Sequence, residues 1–217
     1  MANITSEMVK ELRQSTGAGM MDCKKALTEC EGDMEKAKEY LRKKGLAAVA
    51  KKTGRIAAEG RINTYIHGEG KIGVMIEVNC ETDFAAKTDD FKELVHQLSL
   101  QIAASNPTYI VAEEIPADLV AKEKEIHAAQ LRDQKKPDAI IDKIVEGKLS
   151  KWHQEICLMN QPFIFEEKQS VDDLVKNVSA KIGEKISVRR FARWELGEGL
   201  EKRVYDLASE VAAEMNK

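Results

Sequence analysis

Aromatic side chains are scarce in this chain. They make up 5% of its 217 residues, so core volume has to come from Leu, Ile, Val, Ala and Met. A dominant charge is missing as well. The formal net charge is −3, which creates no overall field that would draw the chain onto nucleic acid or an anionic membrane. No apolar run approaches the roughly 20 residues that a membrane helix needs. The opening "MANITSEMVKELRQ" has neither a signal-peptide core nor an Arg-rich transit composition. Cytoplasmic residence, with no membrane partner, is the expectation.

Metal and catalytic patterns are missing too. The four cysteines, Cys23, Cys30, Cys80 and Cys157, form no C-x-x-C pair, and no His stands beside them at metal-ligand spacing. Cys23 and Cys30 on one continuous helix would be about 10 Å apart along the axis, too far for a disulfide. Reduced, structural thiols are the preferred reading, with an intermolecular bridge left open. His67, His96, His127 and His153 fall in four different segments, and there is no nucleophile elbow or H-E-x-x-H. "GEGKIG", Gly68 to Gly73, fits G-x-G-x-x-G, but a strand pattern follows it where a dinucleotide site needs a helix. Its glycines read as a turn. No cofactor, no metal and no bond-making chemistry are expected.

What is present is strong periodicity. Hydrophobic residues are 43% and charged residues 33% of the chain, ordinary for a helix-rich globular protein. Three short helices open it. Ile4, Met8, Val9 and Leu12 form the first apolar stripe, ended by Gly17 and Gly19; Met21, Ala26, Leu27 and Cys30 form the second. Met34, Ala37 and Leu41 form the third, with Asp33 as N-cap and Gly45 as the stop. From Arg42 to Arg55, six basic residues occur without an acid. A nucleic-acid patch is one reading of this run. A solvated linker helix is preferred, because no aromatic is there to stack on bases.

The period then changes to two. Ile62, Thr64 and Ile66 alternate, as do Ile72, Val74, Ile76, Val78 and Cys80, around "HGEG". This predicts a β-hairpin with one buried face. An amphipathic helix follows with Phe91, Leu94, Val95, Leu98 and Ile102, capped by Thr88 or Asp89 and ended at Asn106-Pro107. Beyond Pro116, two charged helices joined by "KKPD" form an antiparallel hairpin. "CLMNQPFIF" reads as a short extended segment, Ser170 caps another helix, and "KISVRRFARWEL" is the strand that completes the sheet. There Ile186, Val188, Ala192, Trp194 and Leu196 share a face that Arg190 interrupts. The G-x-G at Gly197 and Gly199 is a turn into a final helix.

Two stretches carry more specific information. "LRQSTGAGMMDCKKAL", Leu12 to Leu27, presents Met20 and Met21 where a helix begins, and adjacent Met residues are adaptable contact formers. "EVNCETDFAAK" ends a strand with an acid and a Phe at the sheet edge. Both closely resemble the two signature segments of elongation factor Ts, the guanine-nucleotide exchange factor for elongation factor Tu. "QPFIFEEKQSVDDLVK", "FARWELGEGLEK" and the terminal "SEVAAEM" resemble later segments of that family, so the likeness spans essentially the whole chain. The family usually has Val after the Phe; here Ala85 stands in its place, which would trim an apolar contact at the site.

The resemblance implies an α+β protein with an N-terminal three-helix, ubiquitin-associated-like module and linker (1–54). An antiparallel-sheet-plus-helix core would follow in two parts (55–115 and 158–198), with a projecting helical hairpin (116–157) and a C-terminal helical module (199–217). It implies elongation factor Tu as partner, with Thr82, Asp83 and Phe84 as the nucleotide-release tip. Arg13, Met20 and Met21 would anchor the N-terminal module on that partner, with Met215 a further contact. A single core copy implies a homodimer or a two-to-two complex. From another class, a non-catalytic scaffold or chaperone-like module would share the N-terminal signature without needing the Thr-Asp-Phe tip.

Overall fold

The computed structural model describes residues 4–200, with the backbone alone at positions 138 and 139. Helices α1 (Ser6–Thr16), α2 (Met20–Glu29) and α3 (Met34–Ala50) open the chain. Thr5 and Asp33 accept the Met8 and Lys36 amides as N-caps, and Gly17 closes α1 in the left-handed region. Val9, Leu12, Cys23, Ala26, Leu27, Ala37 and Leu41 make a small buried core of their own. Cys23 takes the inward position that the apolar spacing assigned to Met21, which is exposed.

Strands β1 (Glu59–His67) and β2 (Ile72–Cys80) form the hairpin, followed by the short α4 (Asp83–Lys87) and the long α5 (Asp89–Ser105). Thr88 caps α5 by accepting the Phe91 amide, and Asn106 ends it in the left-handed region. Next, α6 (Ala117–Asp133) and α7 (Asp138–Ile156) pack on each other through Leu131, Ile141, Val145 and Leu149. The segment read as extended is a 3-10 turn at Leu158–Asn160 leading into a second hairpin, β3 (Pro162–Phe163) and β4 (Glu166–Ser170). Gln101 of α5 holds this hairpin, accepting the Ile164 amide at 2.9 Å and donating to Gln161 at 3.1 Å. Ser170 caps α8 (Val171–Ile182), and β5 (Ile186–Glu195) completes an antiparallel sheet of order β1-β2-β5.

The architecture is therefore α+β: α5 and α8 lie on one face of the sheet and bury Val74, Ile76, Val78, Cys80, Phe91 and Leu98 between the layers. Pairing overturns the expected face of β1. Ile62 sits opposite Glu77 and Ile66 opposite Gly73, on the side away from the helices. Asn63 instead faces inward and donates to Ser99 of α5 at 3.0 Å. Strand β5 is corrected in a similar way. A bulge opposite Glu77 and Val78 inserts one residue at Arg189, which reverses the alternation. Ile186 and Val188 are buried, but beyond the bulge Phe191 and Arg193 turn inward while Trp194 faces out.

Gly45 does not stop α3. The helix continues through it to Ala50 and crosses α8, where a Cβ on Gly45 would stand 3.0 Å from that of Ala180. Glycine is present because two helices meet closely, and not as a terminator. The first part of the basic run thus lies in a docked helix, with Lys43 and Lys44 paired to Glu39 and Asp22, and Lys51, Lys52 and Arg55 follow in the turn beyond it. Gly60 is likewise demanded by the backbone. Its φ is +143°, and a Cβ would come within 2.2 Å of the Val78 carbonyl oxygen. The turn at 196–200 is described; the rest of the expected C-terminal helix, Met215 with it, lies outside the described residues.

Candidate partner-binding site

The tip grows directly out of the buried strand. Cys80 is fully buried at the end of β2, and its thiol donates to the Thr82 carbonyl at 3.1 Å. Burial, reinforced by the nearby Glu184 carboxylate, pushes that thiol up from its ordinary pKa. Thr82 is in extended conformation and its hydroxyl accepts the Ala85 amide, which starts α4. A five-residue helix has almost no stability of its own. Its ends are set by capping at Thr82 and by the second cap at Thr88, and its position by Ala85.

The two sides of α4 do different things. Ala85 is 4% exposed and belongs to the main core. The Ala85 methyl thus packs into the core, and Phe84 carries the exposed apolar surface of the tip. Phe84 is 77% exposed. The Lys87 ammonium lies 5.8 Å from its ring centroid and binds the Asp83 carboxylate at 2.6 Å. That Lys87 hydrogen bond holds the Asp83 carboxyl below its usual range, so it is ionised at neutral pH. Asp83 also stands in the first turn, where a negative charge suits the helix dipole. Thr82 is half-buried with its hydroxyl committed inside the protein, whereas Asp83 and Phe84 face solvent.

The other proposed contact residues flank the α1–α2 loop. Arg13 is exposed, and its carbonyl accepts the Gly17 amide at 2.8 Å. Thr16 donates to the Leu12 carbonyl and accepts from Ala18, which fixes the loop. Met20 and Met21 are both exposed at the start of α2, 47% and 77% respectively. Among the described residues, no hydrogen bond or ion pair joins this group to the tip directly. Lys181 of α8 spans part of the gap: its stem lies against Gly17 and its ammonium reaches Asp90, at the start of α5, at 2.6 Å.

Sequence periodicity missed the residues that hold the tip from behind. Glu81 accepts the Lys185 amide at 2.6 Å and the Arg55 guanidinium at 3.0 Å. Lys185 in turn donates to the Thr53 and Arg55 carbonyls. No local signal marks this cluster, because its members come from three distant segments. No group of His, Cys, Asp and Glu able to hold a metal occurs among the described residues. No described helix is long and apolar enough to cross a membrane.

A family model described as Elongation factor TS matches residues 2–198. The chain is 57% identical over 215 residues to an "Elongation factor Ts" from Desulforamulus reducens, covering 99% of each chain. It is 59% identical over 212 residues to an "Elongation factor Ts" from an Anaeromyxobacter species, covering 98% of this chain and 97% of that one. An "Elongation factor Ts" from Desulfitobacterium hafniense is 54% identical over 217 residues, with both chains covered completely. The chain belongs to the elongation factor Ts family.

Membership places this protein among the translation elongation factors. The matched residues 2–198 include both the α1–α2 loop and the α4 tip. The α4 tip exposes one aromatic ring, Phe84, and one carboxylate, Asp83, side by side on the surface.

Proposed function

We propose that this member of the elongation factor Ts family is a guanine-nucleotide exchange factor for elongation factor Tu. It binds the GDP-loaded GTPase, disturbs the Mg²⁺ and phosphate side of the nucleotide site, promotes GDP release, and is displaced after GTP binds. No covalent bond changes, so it is not an enzyme in that sense. The observation that carries the reading is the exposure of Phe84 on a helix fixed at both ends. Phe84 acts as an apolar wedge, Asp83 as a polar contact that biases a neighbouring element of the partner, and Thr82 holds both in place.

Arg13, Met20 and Met21 anchor the N-terminal module, whose three-helix arrangement is of the ubiquitin-associated-like kind, and Met215 adds a contact. Each part of the division 1–54, 55–115, 116–157, 158–198 and 199–217 then has its own task, the core being built from two of them. The protein works in the cytoplasm without nucleic acid or cofactor. Its energetics follow from linkage: whatever factor the exchange factor weakens GDP binding by, GDP weakens its binding by equally, and each tenfold is about 1.4 kcal/mol.

A homodimer or two-to-two complex is part of the proposal. Ile62, Ile66, Met75 and Trp194 are exposed on the outer face of the sheet, and a second copy would cover them. The deciding experiment mixes the protein with elongation factor Tu loaded with labelled GDP and follows release and complex mass. Accelerated release is the expected result. A complex that forms without acceleration would leave the scaffold reading standing instead.

A further inference from the structure

The turn between α8 and β5 hydrogen-bonds the segment that joins β2 to α4. Glu184 in this turn is half-buried, and its carboxylate spends both oxygens on one target. One oxygen accepts the Glu81 amide at 3.1 Å and the Thr82 amide at 2.9 Å; the other accepts the Thr82 hydroxyl at 2.7 Å. The hydroxyl that donates to Glu184 is the same one that accepts the Ala85 amide and starts α4. Glu81 returns the contact by accepting the Lys185 amide. Each carboxylate thus accepts backbone amides from the other's segment: Glu184 from Glu81 and Thr82, and Glu81 from Lys185.

We propose that Glu184 is a positioning residue for nucleotide release. It does not touch the partner; it orients the Thr82 cap so that α4 presents Phe84 and Asp83 in one direction. The reasoning is geometric. Amides just before a helix of five residues would otherwise be free to rotate, and that helix cannot hold its own orientation. Charge-assisted hydrogen bonds to two consecutive amides and a hydroxyl remove the freedom. A wedge then arrives at the partner already oriented, so the ordering entropy is not lost during exchange. This inference rests on the exchange reading above.

The test measures stimulated GDP release from elongation factor Tu over a range of concentrations of wild type and three variants. Glu184→Ala is expected to lower the maximal rate by about tenfold, the scale of one lost charge-assisted hydrogen bond. The half-saturating concentration should stay within about twofold, since the N-terminal anchor is untouched. In the free protein, amide hydrogen exchange at Glu81 and Thr82 should quicken by about tenfold or more. Glu184→Gln keeps the length and one acceptor oxygen for the two amides but loses the charge and the acceptor for the Thr82 hydroxyl, and should fall between wild type and Glu184→Ala. Glu184→Asp keeps the charge but is one methylene too short to reach all three donors, and should fall below Glu184→Gln.

A maximal rate for Glu184→Ala within about twofold of wild type, or a loss that appears only as weaker binding, overturns the inference. If Glu184→Ala does not fold, the order of the other two decides: Gln above Asp supports positioning, Asp above Gln overturns it. Failure of the exchange reading looks different, because wild type itself would then leave GDP release unchanged.

Discussion

Phe84 and Ala85 are neighbours in the chain and face opposite sides of one short helix, the ring 77% exposed and the methyl 4% exposed. Their substitutions should therefore have opposite phenotypes. Phe84→Ala is expected to slow stimulated GDP release by about tenfold or more, a change of at least ~1.4 kcal/mol at the barrier. Unfolding free energy should move by no more than about 0.5 kcal/mol. Stopped-flow release of a fluorescent GDP, with thermal melting alongside, reads both. A sharp fall in melting temperature would make Phe84 a core residue after all.

Ala85→Asp is expected to fail the other way. An unpaired carboxylate among Cys80, Phe91 and the sheet should cost at least ~2 kcal/mol of stability. Denaturant unfolding would show it as a lower midpoint with the slope unchanged.

Gly45→Leu tests the crossing of α3 over α8. Leucine favours helix, so a free linker helix would be stabilised by it. Against Ala180, where even a Cβ would stand at 3.0 Å, overpacking should destabilise by ~1–3 kcal/mol. A melting temperature at or above that of wild type would mean that α3 does not dock there.

The Glu81 carboxyl is held below its ordinary value, first by the Lys185 amide and then by Arg55. A depressed pKa in the folded state means that its stabilisation is fully present above the unfolded value, about 4.3, and is lost as pH falls through the lower folded value. Glu81→Gln should therefore melt below wild type at pH 7, with the gap closing in acid. A gap that does not change with pH would show that the charge of Glu81 contributes nothing.

Met75 lies in the middle of the outer sheet face, opposite Thr64 and Ala192. Met75→Glu should abolish the proposed dimer in sedimentation without altering the helix content. Mass unchanged from that of a dimeric wild type would move the dimer contact to another surface.

Much of this protein was legible because it is written in short-range interactions. The caps at Asp33, Thr82, Thr88 and Ser170 each accept an amide three residues ahead, so the side chain and its target are read in one glance along the chain. The buried face of β2 was equally plain, because Val74, Ile76, Val78 and Cys80 meet helices on one side with no irregularity between them. The exposed Met20 follows from how little a three-helix module can bury, whereas spacing alone put Met21 inward, where Cys23 is found.

By itself, then, the sequence determined the α+β class, the family and most helix starts. Only the tertiary structure decided how the elements are held and which way their residues face. The outward turn of Ile62 depends on β1 pairing with β2, and the inward turn of Arg193 on a bulge in β5. Gly45 is explained by Ala180 on a helix far along the chain. Thr82 takes its orientation from Glu184, which is 102 positions away. Periodicity describes one element and the solvent around it. It contains no term for a partner that arrives only when the chain has folded.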